Sequence, residues 1–428
     1  MKKKINQILD YKNFIFLLIG LSFVIRLVTI YFYHDKWLDQ EWEILLNNLI
    51  KYKAYTYYGP PIPHVILPPL YPFFLYFLNI FVFAEVNLSS ITIFVQIILS
   101  TISIYVFYKI NQKIFSNASS LISACIFSFF PLNIYAAGQM SSITLQIFLS
   151  LLFILLLFNL TEKQSKKGII YLSLISGLLI LTRGEFILIY VVTLFYLFLK
   201  SKIKLTNIFI IVLCTFLVAS PYLVRNYITF KQITVAKALG FNLWKGNNQL
   251  STVEGYGDFN LGFYNIAEIS SEKNINFKNP IFKSLNEKVN SLNKDKFYEI
   301  NKDSVFLEEA LKNLNEDPVK YLKLFFKKIL SFYFIDFNST YLSYYSFFHF
   351  IPALVIGILS FPGLILALKE KDFKIRYLSG YLLLTIVIFS IFFILPRYKL
   401  TILPIQIILT VYFAKYIFKK LNKNHGSK

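Results

Sequence analysis

The sequence is poor in the residues from which soluble enzymes usually build their sites. Among 428 residues there are two cysteines and four histidines, and only 16% of the residues are charged. Cys125 and Cys214 both lie inside apolar runs, so we interpret them as packing residues rather than a disulfide framework. The sequence also has no glycine-rich phosphate loop, Ser-His-Asp set or Cys/His metal cluster. The sequence therefore offers no candidate for the common sites of soluble enzymes.

Acidic residues are scarce as well, with 23 against 44 basic ones and a formal net charge of +21. Such an excess can indicate nucleic-acid binding. Here the lysines lie in short connectors between apolar runs, where positive charge sets the topology of a membrane protein. We therefore expect membrane lipids as partners and no nucleic acid.

Long apolar runs are abundant, and 56% of the chain is hydrophobic. In lipid every backbone polar group must be satisfied internally, and barrel-type alternation is absent, so the runs predict transmembrane helices. The expected fold is an all-α polytopic membrane protein with about 10–12 transmembrane helices. The clearest predicted spans are 13–33, 89–108, 119–137, 142–160, 168–181, 185–199, 206–222, 345–368, 377–395 and 401–418.

The placement of lysine predicts which side of the membrane each connector occupies. The N-terminal MKKK, the lysine-bearing connectors and the C-terminal tail all fall inside if the segment 67–84 does not cross. Prolines and aromatic residues in that segment favour a helix at the outer interface, with a short true span as the alternative. The outer face then receives 34–67, 225–341 and 396–399. The heavy use of Lys, Asn, Ile, Phe and Tyr indicates an AT-rich coding bias, so we expect a bacterial inner-membrane protein whose outer segments face the periplasm or exterior.

Three parts of the chain follow from this topology. An N-terminal transmembrane module, 1–222, includes the first outer loop (34–67) and the interfacial segment (67–84). An outer-face insert occupies 223–341, and the C-terminal transmembrane helices occupy 342–428. The insert is longer than an ordinary loop, so we expect it to fold as a small, partly helical unit on the outer membrane face.

The first outer loop concentrates negative charge, with four carboxylates between positions 35 and 43. If a helix begins near Asp39, this residue caps it and its acidic neighbours favour the helix dipole. The functional alternative is a general base at the membrane boundary, flanked by Trp37 and Trp42. Asp39 is the preferred candidate for that base, and Glu41 is the second.

Four short tracts follow one another along nearly the whole chain. They are the acid Asp39 after the first helix, PPLYP at 68–72, PYLVRNY at 221–227 with GFNLWKGNN at 240–248, and PRYK at 396–399. Together they resemble the GT-C type of dolichyl- or polyprenyl-phosphate-sugar glycosyltransferases. That superfamily includes the protein O-mannosyltransferases and the lipid A aminoarabinose transferase. The order and spacing of the tracts carry the resemblance, since each tract alone recurs by chance.

The resemblance implies a GT-C-like bundle that transfers a hexose or pentose from a polyprenyl-phosphate-linked donor to a lipid, glycan or protein acceptor. Asp39 would act as the general base, and direct displacement with one base would invert the anomeric centre. Arg225 and Arg397, at predicted outer helix ends, would hold the donor phosphate, with interfacial anchoring as the alternative for each. Further candidates for substrate binding are His64, for which a surface-loop role is the alternative, Tyr71, Asn247 and Tyr398.

The sequence departs from the family pattern in two places. Many relatives carry a second acid in a Ser-Glu-Thr-like context where this chain has QMSSIT at 139–144, and no lysine precedes the proline of PPLYP. The triplet 39–41 is similar to a DxD metal pair, but monophosphate donors in this superfamily generally need no metal. We therefore expect no cofactor, with a divalent ion as the alternative.

Two other functions compete with glycosyl transfer. A multi-pass transporter or lipid-linked-sugar flippase usually shows repeat symmetry and ionisable groups at the midplane, whereas the polar tracts here lie at outer helix ends. A glycan ligase with a diphosphate donor is disfavoured by the missing second acid. Arg26 and Arg183, inside or at the end of apolar runs, are interpreted as structural, with an ion pair between Arg183 and Glu185 as one arrangement.

Overall fold

The computed structural model describes residues 13–35, 40–82, 87–200, 203–256, 259–260, 276–277, 279–341 and 346–425. These residues form a helical bundle with helices added at one end. One short antiparallel pairing, β1 (Phe259–Asn260) with β2 (Asn276–Phe277), lies in the insert.

The membrane part and the insert are both built from helices. In chain order the α-helices are α1 Phe14–Tyr33, α2 Gln40–Tyr52, α3 Leu70–Leu78, α4 Leu88–Gln112, α5 Asn117–Ser128, α6 Pro131–Ala137, α7 Ile143–Glu162, α8 Lys166–Thr182, α9 Phe186–Lys200, α10 Leu205–Phe230, α11 Leu239–Gly246, α12 Lys283–Asn290, α13 Tyr298–Glu316, α14 Pro318–Tyr333, α15 Phe347–Lys369, α16 Phe373–Ile391 and α17 Lys399–His425. Short 3-10 helices occupy Asn79–Phe81, Pro280–Phe282 and Pro396–Tyr398.

Within the described ranges, seven helices are long and apolar enough to cross a membrane: α1, α4, α7, α10, α15, α16, and α17 with the short helix before it. Helices α5 and α6 form a pair bent by 56° that would make an eighth span. The remaining two predicted spans correspond to α8, with 17 residues, and α9, with 15 residues. All ten predicted segments are thus helical, and the predicted fold class is confirmed.

The segment 67–84 contains the helix α3 and the 3-10 turn Asn79–Phe81. At 1.5 Å per residue these twelve residues reach about 18 Å, well short of the roughly 30 Å of a hydrocarbon core. Phe73, Phe77 and Ile80 are exposed on this helix. Its length therefore suits the predicted interfacial position better than a true span.

Close backbone contacts hold the bundle together. Helices α15 and α17 run side by side, and a Cβ at Gly363 would lie only 2.2 Å from the carbonyl oxygen of Leu409. Small residues at such crossings let helices approach closely, which matters in lipid because apolar burial does not drive their association. Helix α4 packs on α7, and α8 packs on α10.

One end of the bundle gathers three lysine-bearing connectors. Glu162, at the end of α7, accepts from Lys113 at 2.5 Å and from Lys374 at 2.6 Å. Lys113 follows α4 and Lys374 lies at the start of α16. The structure therefore places three of the predicted cytoplasmic connectors at one and the same end, while the orientation of that end remains a prediction.

The insert has a small hydrophobic core of its own. Trp244 of α11 is fully buried against Phe282 and Phe306, with ring centroids 5.2 and 5.0 Å away. Asp303 of α13 accepts a hydrogen bond from the backbone N–H of Phe241 at 2.9 Å. Helix α10 continues to Phe230, past the predicted start of the insert at residue 223.

The intramembrane Arg26 is fully buried in α1, and it binds hydroxyl and carbonyl oxygens rather than a carboxylate. Its Nε donates to Ser100 Oγ at 2.9 Å and its Nη1 donates to the carbonyl of Ser128 at 3.1 Å. Ser128 is the last residue of α5, so its carbonyl lacks an intrahelical donor and is free to accept. By contrast, Arg183 and Glu185 form the ion pair considered from the sequence, at 4.0 Å.

Candidate functional site

After residue 35, the described part of the first outer loop resumes with helix α2. Asp39, the preferred base, lies outside the described residues together with Trp37, while Glu41 is exposed in the first turn of α2. The carboxylate of Glu41 acts electrostatically on Lys245 and on Tyr55. The charge of Glu41 therefore links the first outer loop to the helix that carries Lys245.

Three cationic side chains are called here the outer cation group: Lys245, Arg397, whose charge acts on Lys245, and Arg183, which lies over the ring of the residue after Arg397. Burial lowers the pKa of Lys245, while the charge of Glu41 raises it and that of Arg397 lowers it. The Arg183 guanidinium lies over the ring of Tyr398 at 5.4 Å. The group therefore joins the ends of α8 and α11 to the turn before α17.

A buried lysine holds together the two segments that carry Lys245 and Arg397. The ammonium of Lys328, fully buried in α14, donates to the carbonyl of Gly246 at 2.8 Å and to Asn247 Oδ1 at 3.1 Å. It also donates to the carbonyl of Phe392, just after α16. Desolvation lowers the pKa of Lys328 to about 7. The ammonium thereby ties the end of α11, which carries Lys245, to the turn that leads to Arg397.

Asn247, a sequence candidate for substrate binding, is part of the same support. Its Nδ2 donates to the carbonyls of Leu243 and Ile391, both at 2.9 Å. These bonds use both amide protons, and Oδ1 accepts from Lys328. The side chain of Asn247 is therefore bound to protein, and Lys245, two residues earlier, is the member of its tract on which the charges of Glu41 and Arg397 act.

A cavity of about 880 Å³, called here the outer cavity, opens beside α2. Phe73 of α3, Leu181 of α8 and Val218 of α10 give it apolar walls. Three cationic side chains also line it: Lys53, Arg225 and Lys296. An apolar space of this size with a cationic rim matches a ligand that has both a hydrocarbon part and an anionic part.

Arg225 lines the outer cavity but is bound closely to the protein. Its guanidinium donates to the carbonyl of His64 at 2.8 Å, to the carbonyl of Tyr55 at 3.1 Å and to Asn226 Oδ1 at 2.7 Å. The same group lies over the Tyr55 ring at 5.9 Å. Arg225 therefore shapes the wall formed by the first outer loop and adds positive charge to the cavity.

His64 is buried rather than placed on a surface loop. Its Nε2 accepts from the backbone N–H of Leu67 at 3.1 Å, and its Nδ1 lies 2.7 Å from Glu299 Oε1. Both ring nitrogens are thus bound to protein. Glu299 also accepts from the backbone N–H of Val65 at 2.7 Å. Nothing in the sequence around Glu299 marks it as the partner of the first outer loop.

Tyr71 of the PPLYP tract is buried at the junction of α2, α3 and α4. Its ring packs edge-on against Trp42 at 5.1 Å, and its hydroxyl donates to Gln96 Oε1 at 3.3 Å. Gln96 in turn donates to the carbonyl of Gln139 at 2.9 Å. Tyr71 therefore sets the position of α2 relative to the bundle.

The loop in which relatives carry a second acid contacts an acid of the first outer loop. The backbone N–H of Met140 donates to Asp35 Oδ2 at 2.9 Å, and the Asp35 N–H donates to the carbonyl of Gly138 at 3.0 Å. The structure thus brings Asp35 to this loop, although the sequence favoured Asp39 and Glu41. The acidic character of 35–43 was the signal that could have included it.

Part of the sequence matches a known family, and the fold matches solved structures. Residues 67–224 match the family of dolichyl-phosphate-mannose-protein mannosyltransferases. No curated protein sequence matches the chain. The archaeal oligosaccharyltransferase AglB of Archaeoglobus fulgidus, in complex with an inhibitory peptide and a dolichol-phosphate, is similar with TM-score 0.54 and 13% identity, over 97% of this chain and 51% of that chain.

Two further structures are similar. The apo form of the Archaeoglobus fulgidus oligosaccharyltransferase has TM-score 0.55 and 12% identity over 97% of this chain and 52% of its own. ArnT from Cupriavidus metallidurans, bound to undecaprenyl phosphate, has TM-score 0.41 and 10% identity over 93% of this chain and 78% of its own.

The family match and the fold confirm the resemblance to the GT-C superfamily that the four tracts predicted. The chain has the fold of the GT-C membrane glycosyltransferases, and it spans about half the length of the archaeal enzyme.

Proposed function

We propose that this protein is a membrane glycosyltransferase that moves one sugar, a hexose or a pentose, from a polyprenyl-phosphate carrier to a cell-envelope acceptor at the outer face. The observation that carries the proposal is the outer cavity of about 880 Å³, apolar inside and cationic at its rim, beside the last turn of α2. A carrier lipid with a phosphate head has this combination of chemistry. The AglB structure with the same fold contains a dolichol-phosphate.

Two residues of the cavity wall, Leu181 and Tyr55, connect the cavity to the outer cation group and to Glu41. Leu181 lines the cavity, and Arg183 of the cation group follows it at the end of α8. Tyr55 also lines the cavity, and the charge of Glu41 acts on it. A carrier chain in the cavity could therefore place its phosphate next to Arg183, Lys245 or Arg397 while its tail stays among apolar side chains.

The reaction that these groups would support is a single displacement. The carboxylate of Asp39 takes the proton of the acceptor hydroxyl, and the acceptor oxygen forms a bond to the anomeric carbon of the sugar. The bond from that carbon to the phosphate oxygen breaks, and polyprenyl phosphate leaves with the electron pair. Cations held in a site with little water stabilise the charge that develops on the leaving phosphate.

Arginine and lysine have separate tasks in this scheme. The guanidinium of Arg397 can form two parallel hydrogen bonds to one phosphate, whereas the ammonium of Lys245 acts as a point charge. With these cations present, we propose that no metal ion is needed. Glu41 is the second candidate for the base, because it is exposed at the point where Lys245 lies.

The deciding experiment uses the full chain in reconstituted membranes and follows labelled sugar from polyprenyl-phosphate donors to extracted envelope acceptors. We expect Asp39→Asn to lower the transfer rate by about a hundredfold or more, as loss of a general base does. Donor binding should persist. The matched control is Glu43→Gln, which removes a neighbouring carboxylate and should leave transfer near the wild-type rate.

Each outcome decides a different part of the proposal: the identity of the base, the need for a metal ion, or the function itself. Unchanged transfer by Asp39→Asn with loss in Glu41→Gln would move the base to Glu41. Loss of transfer after chelation by EDTA would contradict the metal-free scheme. If the wild type transfers sugar from none of the donors but moves the lipid between leaflets, the flippase alternative is correct and the glycosyltransferase proposal is wrong.

A further inference from the structure

Helix α14 has two faces of opposite character. One face packs into the protein, where Tyr321, Lys328 and Phe332 are buried. The other face carries an apolar stripe at intervals of three and four residues, which places its members along one side of the helix. Each of them is more than half exposed: Val319, Leu322, Phe326 and Leu330.

The position of α14 relative to the bundle is set by its buried face. Lys328 donates to the carbonyl of Phe392, just after α16, and Gln406 of α17 donates to the carbonyl of Tyr333 at 2.9 Å. The helix therefore lies at the end of the bundle where α16 finishes and α17 begins. In the next helix of the chain, α15, the first residues Phe347 and Phe348 are also exposed.

The stripe is therefore at the level where a bilayer changes from hydrocarbon to headgroups. It points away from the protein surface on which α14 packs, so the protein itself does not cover it. An amphipathic helix with an apolar face and lysines beside it lies in the plane of that boundary and buries its apolar face there.

The charge of α14 has one sign only. Between Pro318 and Tyr333 the helix has four lysines and no acidic residue. Lys320, Lys323 and Lys327 are exposed beside the stripe, whereas Lys328 points inward. The neighbouring helix α13 mixes acidic and basic residues along its length. A purely cationic flank beside an apolar stripe is complementary to an anionic lipid surface.

We propose that α14 is an interfacial helix that docks on the outer leaflet and binds anionic phospholipids. The apolar stripe enters the acyl boundary, and Lys323 and Lys327 contact lipid phosphates. This surface is separate from the outer cavity and does not depend on the reaction proposed above. Each lysine near such a surface should enrich anionic lipid on the order of fivefold over zwitterionic lipid.

The test places a probe on the stripe of the full chain. Cys125 and Cys214 are changed to serine, and Phe326→Cys is labelled with an environment-sensitive fluorophore. The protein is reconstituted in nanodiscs that contain either phosphatidylglycerol or phosphatidylcholine with a nitroxide on the acyl chain, at equal mole fraction. The matched control probe is Lys312→Cys, exposed on α13 of the same insert. An unaltered elution profile establishes that each labelled protein is folded.

We expect the nitroxide lipids to quench the probe at position 326 and to leave the probe at position 312 nearly unquenched. Nitroxide phosphatidylglycerol should quench more strongly than nitroxide phosphatidylcholine. The double change Lys323→Glu and Lys327→Glu should remove that difference, and the same reversal at Lys283 and Lys288, which are exposed on α12, should preserve it.

Two results would overturn the proposal. If the probe at 326 is as weakly quenched as the probe at 312, α14 does not enter the bilayer, and the stripe is then a surface for a protein partner. Equal quenching by the two lipids in the chain with its natural lysines would mean that α14 does not select anionic headgroups.

Discussion

The imidazole Nδ1 of His64 lies 2.7 Å from Oε1 of Glu299, a contact between residues 235 positions apart. Because His64 Nε2 accepts from the backbone N–H of Leu67, the ring proton is on Nδ1 and is donated to the carboxylate. The carbonyl of His64 accepts from Arg225. This one pair therefore fastens the insert to the loop that lines the outer cavity.

Removal of this carboxylate should loosen the insert. We expect Glu299→Ala to lower the free energy of unfolding by about 2–3 kcal/mol, because the buried donors of His64 and Val65 lose their acceptor. Glu299→Gln should cost less, since its amide oxygen still accepts one of the two bonds. Thermal unfolding in detergent measures both changes. The control is Glu308→Ala, exposed on the same helix, and equal stability of the two alanine variants would contradict the prediction.

Lys302 should make stability depend on alkaline pH. It is buried against the Tyr58 hydroxyl, 3.1 Å away, and burial lowers its pKa to about 8, although Glu299 and Asp303 raise it. An unfolded lysine titrates near pH 10.4, so between about pH 8 and 10.4 the unfolded chain binds more protons. The free energy of unfolding should therefore rise with pH in this window, by about 1–3 kcal/mol, and this contribution should stay level below pH 8.

The measurement compares thermal unfolding between pH 7 and 10.5 in the wild type and in Lys302→Met. We expect a smaller rise in the variant because it lacks the titrating group. Lys312→Met, which alters an exposed lysine on the same helix, should keep the wild-type slope. An identical slope in Lys302→Met and the wild type would show that Lys302 binds its proton equally in both states.

Gly246 should be intolerant of any side chain. A Cβ there would lie 1.9 Å from the carbonyl oxygen of Phe392, so α11 would have to move away from the turn after α16. That turn carries the Lys328 contacts that position Lys245, and we expect Gly246→Ala to destabilise the fold by about 1–3 kcal/mol. Gly20→Ala is the matched control, because nothing lies within 4 Å of the point that its Cβ would occupy. Equal unfolding temperatures of the two variants would argue against this close contact.

Arg397→Lys tests how the donor phosphate is held. The change keeps the charge but removes the two-pronged hydrogen bonding, so we expect the donor KM to rise by about tenfold with a smaller effect on kcat. Transfer assays across donor concentrations give both constants. Arg376→Lys, in α16 near the opposite end of the bundle, should leave them unchanged. A normal KM in Arg397→Lys would direct attention to Arg225 at the cavity rim instead.

The helices could be predicted because each long apolar run determines its own structure. A run in lipid must satisfy its backbone hydrogen bonds within itself, and this local requirement applies to α4 or α7 whatever surrounds them. The lysines of the connectors were equally informative, and Lys113 and Lys374 do meet at one end through Glu162. The GT-C resemblance rested on short tracts whose order along the chain could be read directly.

The roles of individual polar residues could not be read in that way. His64, Tyr71 and Asn247 belong to the tracts or lie beside them, yet in the fold each is bound to protein, whereas Lys245 acts on Glu41 and Arg397. Which side chain of a tract turns inward depends on partners that lie far away in the chain.

By itself the sequence determined a helical membrane bundle with polar tracts at one end, since hydrophobic length and lysine placement are local properties. Only the tertiary structure decided that Glu299 holds the first outer loop and that Lys328 supports the outer cation group. These contacts join residues more than 60 positions apart, and their stabilisation comes from burial and hydrogen bonds that form only once the helices have packed.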